Sequence, residues 1–392
     1  MNKIVELRAS NPAAMTSPSQ NSPLLNYALS GLRRCWLPEH DRWSHIYHLD
    51  GRDPPNESRP PSDVFYTLNV LLGMSRVPEV PNDIDLARIF RQSVLELATS
   101  PVPKYAFGMA LWAAAELNLE IPEAAASEVK RLLAERKNWW SFRAQDLGML
   151  LTGVSAQVKA GGREWQQFAG PLFSFLRDRY HCESGLFLDA AAGFRQRFTS
   201  FATQVYLAMA CYHYGELTGH APAIGMANAC TRKLIQLQGP QGEWPWFLDA
   251  GACRVLDFYE IYSVHQYGMA PALLECAERY GVDEARDALI KGFRWVLGDN
   301  QLGRSMLVPE QQLTVRSQVR KGELSSKVQR IRRALWNAYT RRQSSLIDPH
   351  DVDVRLECRS YELGWILWSF GQRTDLRQLS NDKVFIDALG TR

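Results

Sequence analysis

One loop occurs twice in this chain, 57 positions apart: Gly185-Leu186-Phe187-Leu188-Asp189-Ala190 with Arg195 after it, and Gly242-Glu243-Trp244 running into Phe247-Leu248-Asp249-Ala250 with Arg254 after it. A fainter copy, His48-Leu49-Asp50-Gly51-Arg52, lies near the start. Each full copy separates two long segments of helical periodicity, so one kind of loop recurs at one position in a structure assembled from helical hairpins. Such hairpins bury their apolar faces only on their neighbours. That restricts the chain to a stacked or closed array of helices.

From about residue 62, apolar-periodic segments alternate with short breaks, and strand-like alternation is scarce. The periodicity predicts helices near 62–76, 83–99, 103–119, 122–136, 144–160, 163–180, 199–218, 221–238, 259–280, 283–298 and 358–371. Pro78, Pro81, Pro101, Pro103, Pro122, Gly161-Gly162, Gly219 and Gly281 punctuate them. Segments 103–119, 144–160 and 199–218 are apolar on most sides, whereas 122–136, 163–180 and 283–298 carry Glu, Lys and Arg on one face. A helix apolar all round is buried and an amphipathic one faces water, so the alternation predicts an inner and an outer ring. The return connections 181–198, 239–258 and 299–357 lengthen along the chain. On a ring they gather on one face, over the N-termini of the inner helices, where a rigid scaffold usually carries its site.

Residues 1–25, rich in Ser, Asn and Pro, read as a loose tail, and 26–392 as one domain with a basic insertion at 299–357. The composition, 46% hydrophobic with 12 Trp, supplies a large core and leaves aromatics for a pocket. A net charge of +3 argues against a nucleic-acid partner. Seven scattered cysteines, with no CxxC and no metal-type pairing with His, read as reduced thiols of a cytoplasmic protein. No apolar run reaches the roughly 18 residues of a membrane span. Walker, Gly-x-Gly-x-x-Gly, Gly-x-Ser-x-Gly and zinc-protease motifs are missing, and no metal or other cofactor is expected.

The segment Gln238-Gly239-Pro240-Gln241-Gly242-Glu243-Trp244 fits the pattern Gln-x(2–5)-Gly-x-Trp and so resembles the QW repeat of terpenoid cyclases, which fold as an α/α toroid. The hairpin ring with its aromatic mouth equally resembles the six-hairpin glycosidase superfamily, which includes glycoside hydrolases, sugar epimerases and polysaccharide lyases. The resemblance spans roughly residues 60–371. It implies an all-α, (α/α)6 toroid of helical hairpins with long loops on one face. The Asp-x-Asp-Asp acid of protonating cyclases is missing, since Asp351-Val352-Asp353 is followed by Val354 and Asp83-Ile84-Asp85 by Leu86. This departure speaks against cyclase activity and leaves the toroid untouched.

The densest group of reactive side chains opens the segment at 259: Tyr259, Glu260, Tyr262 and His265. Residues three and four apart share a helix face, so Tyr259, Tyr262 and His265 are expected to point together into the mouth, with Glu260 on the adjoining edge. His beside Tyr or Glu suits proton transfer; a semi-buried structural His is the plain alternative. A second group, Glu357, Arg359, Tyr361 and Glu362, opens the last helix. There Arg359 and Tyr361 suit a carboxylate or phosphate, or else a structural ion pair closes the ring. In the repeated loops Asp189 with Arg195 reads as a structural cap. Asp249 and Arg254, beside Trp244 and Trp246, are candidates for substrate binding, because a sugar ring stacks on indole faces. Glu260 and Asp249 as the two acids of a glycosidase form the nearest competing assignment.

Between 316 and 342 lie Arg316, Arg320, Lys321, Lys327, Arg330, Arg332, Arg333, Arg341 and Arg342, while Val328, Ile331, Leu335, Trp336 and Tyr339 recur at helical spacing. A helix of this pattern can pack its apolar stripe on the ring as a solvated lid, lie on an anionic membrane as a peripheral contact, or clamp a diphosphate-linked substrate. The expected role is in glycan metabolism or polysaccharide biosynthesis, on a sugar or oligosaccharide of anionic, uronic-acid type, by lyase, epimerase or hydrolase chemistry. A terpenoid-cyclase-like enzyme on a prenyl substrate and a non-catalytic partner in glycan assembly are the alternatives.

Overall fold

The computed structural model describes residues 20–390 apart from 101, 194–195 and 323–326. Among the described residues, helices run in the order α1 (Pro23–Arg34), α2 (Ser62–Met74), α3 (Leu86–Thr99), α4 (Tyr105–Leu117), α5 (Glu123–Ala134), α6 (Ala144–Lys159), α7 (Gln166–Arg179), α8 (Phe201–Thr218), α9 (Ala221–Leu237), α10 (Ala270–Arg279), α11 (Ala285–Leu297), α12 (Lys327–Tyr339), α13 (Ser360–Phe370), α14 (Arg377–Ser380) and α15 (Lys383–Gly390). Helices α2, α4, α6, α8, α10 and α13 touch in that order, and α13 returns to α2, closing an inner ring. Every residue of α4 from Ala106 to Ala114 is buried, as a helix surrounded by others requires. Helices α3, α5, α7, α9 and α11 alternate outside. Of these, α5 buries Ala125, Ala126, Val129, Leu132 and Leu133 along one stripe.

The sixth outer position is taken by α1, which packs on α13 and on α14 and α15. The tail expected over 1–25 therefore ends sooner. Ser22 caps α1 by accepting the Leu25 N–H, Leu24 and Leu25 are 1% and 2% exposed, and the Tyr27 hydroxyl donates to Leu313 O at 2.7 Å. Residues 1–19 lie outside the described residues. Leu25→Ala should cost about 2–5 kcal/mol, the usual penalty for emptying a buried leucine site, measured as a lowered urea midpoint.

Glycines bring the inner helices close. A Cβ on Gly73 of α2 would stand 2.2 Å from Gly364 O of α13; one on Gly108 of α4 would meet Met149 C at 2.3 Å, and one on Gly153 of α6 would meet Gly108 O at 2.3 Å. The repeated loops share a conformation as well as a sequence, since Gly185 and Gly242 both hold positive φ, +88° and +103°.

The long connections meet at the N-terminal ends of the inner helices and carry more strand than the sequence suggests. Thirteen strands of two to four residues occur among the described residues. One antiparallel sheet joins Phe198–Ser200, Phe247–Asp249 and Arg254–Asp257; a second joins Ile261–Tyr262, Ser317–Arg320 and Val352–Arg355; a third joins Glu357–Cys358, Ile46–His48 and Asn56–Glu57. These sheets lead directly into α8, α10, α13 and α2.

Two differences from the predicted elements follow from the second sheet. The helix expected over 259–280 begins later, because Ile261–Tyr262 pairs with Ser317–Gln318 and Ser263 N–H donates to Arg316 O at 2.9 Å. The chain then makes a π turn, His265–Met269, before Pro271 enters α10, with Ala270 N–H bonded to His265 O. The basic segment 316–342 is likewise not one helix. Residues Ser317–Arg320 form the central strand of this sheet, and only Lys327–Tyr339 is helical, as α12.

Candidate active site

A cavity of about 240 Å³ opens at the N-terminal ends of the inner helices. Phe65 and Tyr66 reach it from α2, Tyr105 from α4, Gln145 from α6, Ala202 and Tyr206 from α8, His265 and Met269 from the π turn and Tyr361 from α13, while the loops add Ser200, Trp246, Tyr262 and Arg316. All six inner helices or their lead-in turns therefore contribute. The apolar, all-buried character of these helices brings them together; the aromatic and polar residues in their first turns line the space left where they diverge.

The rings are mutually fixed. Tyr66 and Tyr361 lie 4.5 Å apart, Phe65 and Tyr105 meet edge-on at 4.6 Å, and Tyr262 meets His265 edge-on at 5.2 Å. His45 stacks flat on Tyr66 at 4.1 Å, its Nδ1 3.4 Å from Asp63 Oδ1. The Arg316 guanidinium sits over the Tyr262 ring, 5.1 Å from its centroid.

Behind the cavity runs a network of three arginines and three glutamates. Arg316 donates to Glu362 Oε1 at 3.0 Å and lies 3.2 Å from Glu357, which also accepts from Arg359 at 2.9 Å. Glu260 accepts from Arg355 at 2.9 Å, from the Tyr262 hydroxyl at 3.2 Å and from Ser317 Oγ. Glu362 also accepts from the Tyr267 hydroxyl at 3.0 Å.

Burial sets the protonation of this group. It pushes the Glu362 carboxyl up to about 7 against the pull of Arg316. Burial also lifts Glu260, but Arg316 and Arg355 outweigh it and hold that carboxyl below its ordinary range. His265 is pulled down to about 3 by burial and then by Arg316, so its imidazole is neutral. Tyr105 rises to about 12 through burial, and burial raises Tyr66, Tyr206 and Tyr361 too.

Of the residues singled out from sequence, the structure brings His265, Tyr262, Tyr361 and Trp246 onto the cavity wall, with Glu260 directly behind Tyr262. Arg359 lies one step back, on Glu357 and against Tyr66. The others are elsewhere. With no helix at 259–262, Tyr259 does not share a face with Tyr262 and instead lies 1% exposed under the Arg320 guanidinium, 4.7 Å from its ring centroid. Trp244 is buried against Phe201 at 5.1 Å. Asp249 pairs in register with Arg254 across a hairpin and binds Arg197 at 2.7 Å and Arg254 at 3.5 Å, so its carboxylate is already committed to two cations. Arg195 lies outside the described residues. Among the described residues no group of three or more His, Cys, Asp or Glu is arranged to hold a metal ion.

Sequence reasoning missed Arg316, Gln145, Tyr66, Tyr105 and Tyr206 as residues of the cavity. The usable signal was positional: Tyr66, Tyr105 and Tyr206 each fall within the first six residues of an inner helix. Arg316 was masked by the basic run that follows it.

Solved structures share this architecture. An unsaturated glucuronyl hydrolase specific for heparin matches with a TM-score of 0.60 at 13% identity, over 91% of this chain and 98% of that one. Cellobiose 2-epimerase from Bacillus thermoamylovorans gives 0.60 at 9% identity, over 89% and 99%. A possible member of GH105 family from Salmonella enterica serovar Paratyphi A gives 0.56 at 12% identity, over 94% and 98%. The fold is therefore an α/α toroid of helical hairpins, shared with these structures. No protein-family model matches the chain, and no curated protein matches it by sequence.

Proposed function

We propose that this protein is an enzyme acting on a uronic-acid-type sugar, by proton transfer of the kind used in lyases and epimerases. The observation that carries this reading is Arg316, whose Nε and Nη1 are held from behind by Glu357 and Glu362 and whose guanidinium stands on the wall of a small aromatic cavity that no carboxylate lines. A carboxylate-bearing sugar ring fits that arrangement: its acid group pairs with Arg316 and its C–H faces lie on Trp246 and the tyrosines. Glycosidase chemistry with two opposed carboxyls is less well served, because Glu260 sits behind Tyr262 and Asp249 is held in its hairpin. Hydrolysis remains the second reading, favoured by Glu260, which contacts the cavity through the Tyr262 hydroxyl.

In the preferred reading His265 takes the proton from the carbon next to the substrate carboxylate. Arg316 stabilises the enolate-like charge that develops, and the hydroxyl of Tyr262 or Tyr361 returns a proton, to the leaving oxygen in a lyase or to the opposite face in an epimerase. Arg316 is also, after burial, a reason why His265 is such a weak base. An anionic substrate paired with Arg316 offsets that smaller part of the depression, while the larger part, burial, remains.

Glycan metabolism in the cytoplasm is the setting we favour; the seven cysteines are free, and among the described residues no helix is long and apolar enough to cross a membrane. Contact with a diphosphate-linked substrate or an anionic membrane through the basic segment is a further part of the proposal.

The test is a thermal-shift comparison of uronic-acid oligosaccharides, neutral oligosaccharides and prenyl diphosphates. At a hundred times its dissociation constant a ligand stabilises by about 2.7 kcal/mol. The acidic sugar alone should shift the wild type, and Arg316→Gln should lose the shift. A response confined to prenyl diphosphates would sink the carbohydrate reading in favour of the cyclase-like one. Binding of the acidic sugar with no turnover, and no effect of His265→Ala, would leave a binding protein of glycan assembly.

A further inference from the structure

Helix α12 presents its apolar stripe to solvent. Val328, Ile331, Leu335 and Tyr339 follow one another at helical intervals of three, four and four. Yet Val328 is 67% exposed, Ile331 51%, Trp336 60% and Tyr339 84%, and Leu335 is half-buried. The helix is held from its other side, where Ala334 is buried, the Asn337 amide donates to Leu256 O at 2.9 Å, and the strand Arg254–Asp257 packs against it. The expectation of a lid that buries its stripe on the ring is thereby reversed. Among the described residues, the other large exposed apolar side chains, Leu95, Trp140, Leu356 and Ile386, stand singly on separate segments. On α12 they adjoin, with the Trp336 and Tyr339 rings 6.4 Å apart.

Basic residues flank this stripe in sequence. Arg332, one turn before Trp336, is exposed, as are Lys321, Arg341 and Arg342. Residues 320–342 hold eight basic side chains against one acidic, Glu323.

We propose that α12 docks the protein on an anionic lipid surface, its aliphatic and aromatic stripe lying among the headgroups and its arginines on the lipid charges. Trp and Tyr suit that boundary, being apolar with one polar end. An amphipathic helix with basic flanks gains from burial and from the negative surface potential together. Charge selects this occupant over a second copy, since two α12 faces would oppose cation to cation. Val328 and Ile331 offer no hydrogen bonds to a polyhydroxylated sugar. Docking through α12 sets the strand-lined rim of the ring at the lipid surface, within reach of substrate presented there.

The experiment is co-sedimentation of the full chain with mixed phosphatidylglycerol–phosphatidylcholine vesicles and with pure phosphatidylcholine, at low and high salt. Binding is expected to the mixed vesicles only and to fall with salt. Arg332→Gln with Arg342→Gln should weaken it about twenty-five-fold, each cation near the surface contributing about fivefold. Trp336→Ser with Tyr339→Ser should remove it while leaving the thermal midpoint unchanged, because these side chains are exposed. Arg316→Gln should leave it intact, which separates this proposal from the catalytic one. Failure to sediment, equal binding to neutral vesicles, or full retention by both double variants would overturn it. Self-association abolished by Trp336→Ser, without lipid binding, would give the face to a second copy instead; a Trp336-dependent response to oligosaccharide alone would give it to substrate.

Discussion

Arg316→Ala is expected to weaken binding of an acidic sugar about 100-fold and to destabilise the protein by about 3–5 kcal/mol above neutral pH. The binding loss is that of a charge-assisted hydrogen-bonded pair in a poorly hydrated cavity. The stability loss arises behind the cavity, where Glu362 is fully buried with Arg316 as its cation, and breaking such a pair strands the remaining charge. The pH dependence has a definite sign. The Glu362 carboxyl, pushed up to about 7, keeps its proton in the folded state over a range where the unfolded chain has released it. Its contribution to stability is therefore greatest at acid pH, declines as pH rises to about 7, and is flat beyond. Without Arg316 the carboxyl rises further and the decline continues past neutrality, so the cost of the substitution grows from pH 6 to pH 9. Urea midpoints of both proteins across that range measure this; a cost that does not change with pH would show that Glu362 is not the group left stranded.

Gly108→Ala is expected to cost about 3 kcal/mol or more, whereas Gly225→Ala should be neutral or stabilise by about 0.5–1 kcal/mol. Both glycines are helical, so propensity favours alanine at each. Their surroundings decide the sign. The new methyl at 108 would stand 2.3–2.5 Å from the backbone of Met149 and Leu150, which can yield only if α4 and α6 move apart; at Gly225 there is nothing within 4 Å. Overpacking of an interior contact typically costs 1–3 kcal/mol, and contact with backbone on a closed ring lies at the upper end or beyond it. Parallel denaturation curves check this, and a similar effect at the two positions would remove the close helix approach as a determinant of the ring.

The ring itself was legible because burial imposes composition. Helices with no solvent face, such as α4 and α6, must be apolar all round, and that shows in one sequence. The mouth was less legible. Tyr262 and His265 do meet, but through a strand edge and a π turn that depend on Ser317–Gln318, more than fifty residues downstream, and no local period reports such pairing. The same strand places Arg316 on the cavity, although its neighbours in sequence suggest an exposed cationic helix. Asp249 stood out because it recurs within a loop, and a repeat marks what the architecture needs at each turn: Asp249 holds Arg197 and Arg254, and its counterpart Asp189 accepts from the Thr203 hydroxyl. The side chains that vary from turn to turn, Tyr66, Tyr105, Gln145 and Tyr206, are those left facing the cavity.

That α1 fills the sixth outer position bears on how the molecule is made. The hydrogen bond from Tyr27 to Leu313 spans 286 residues. At translation rates of 5–20 residues per second, the first helix waits roughly 15–60 s for the wall it belongs to. During that interval Leu24, Leu25, Ala28 and Leu32 have no native surface to cover them. Hairpins built on α2 to α11 can stack as they emerge, each on its predecessor. Closure instead joins α1 and α2 to α13, so the loop-closure entropy of nearly the whole ring falls on that one docking step. Assembly of this toroid is thus expected to proceed as an open arc that is sealed once, from both ends.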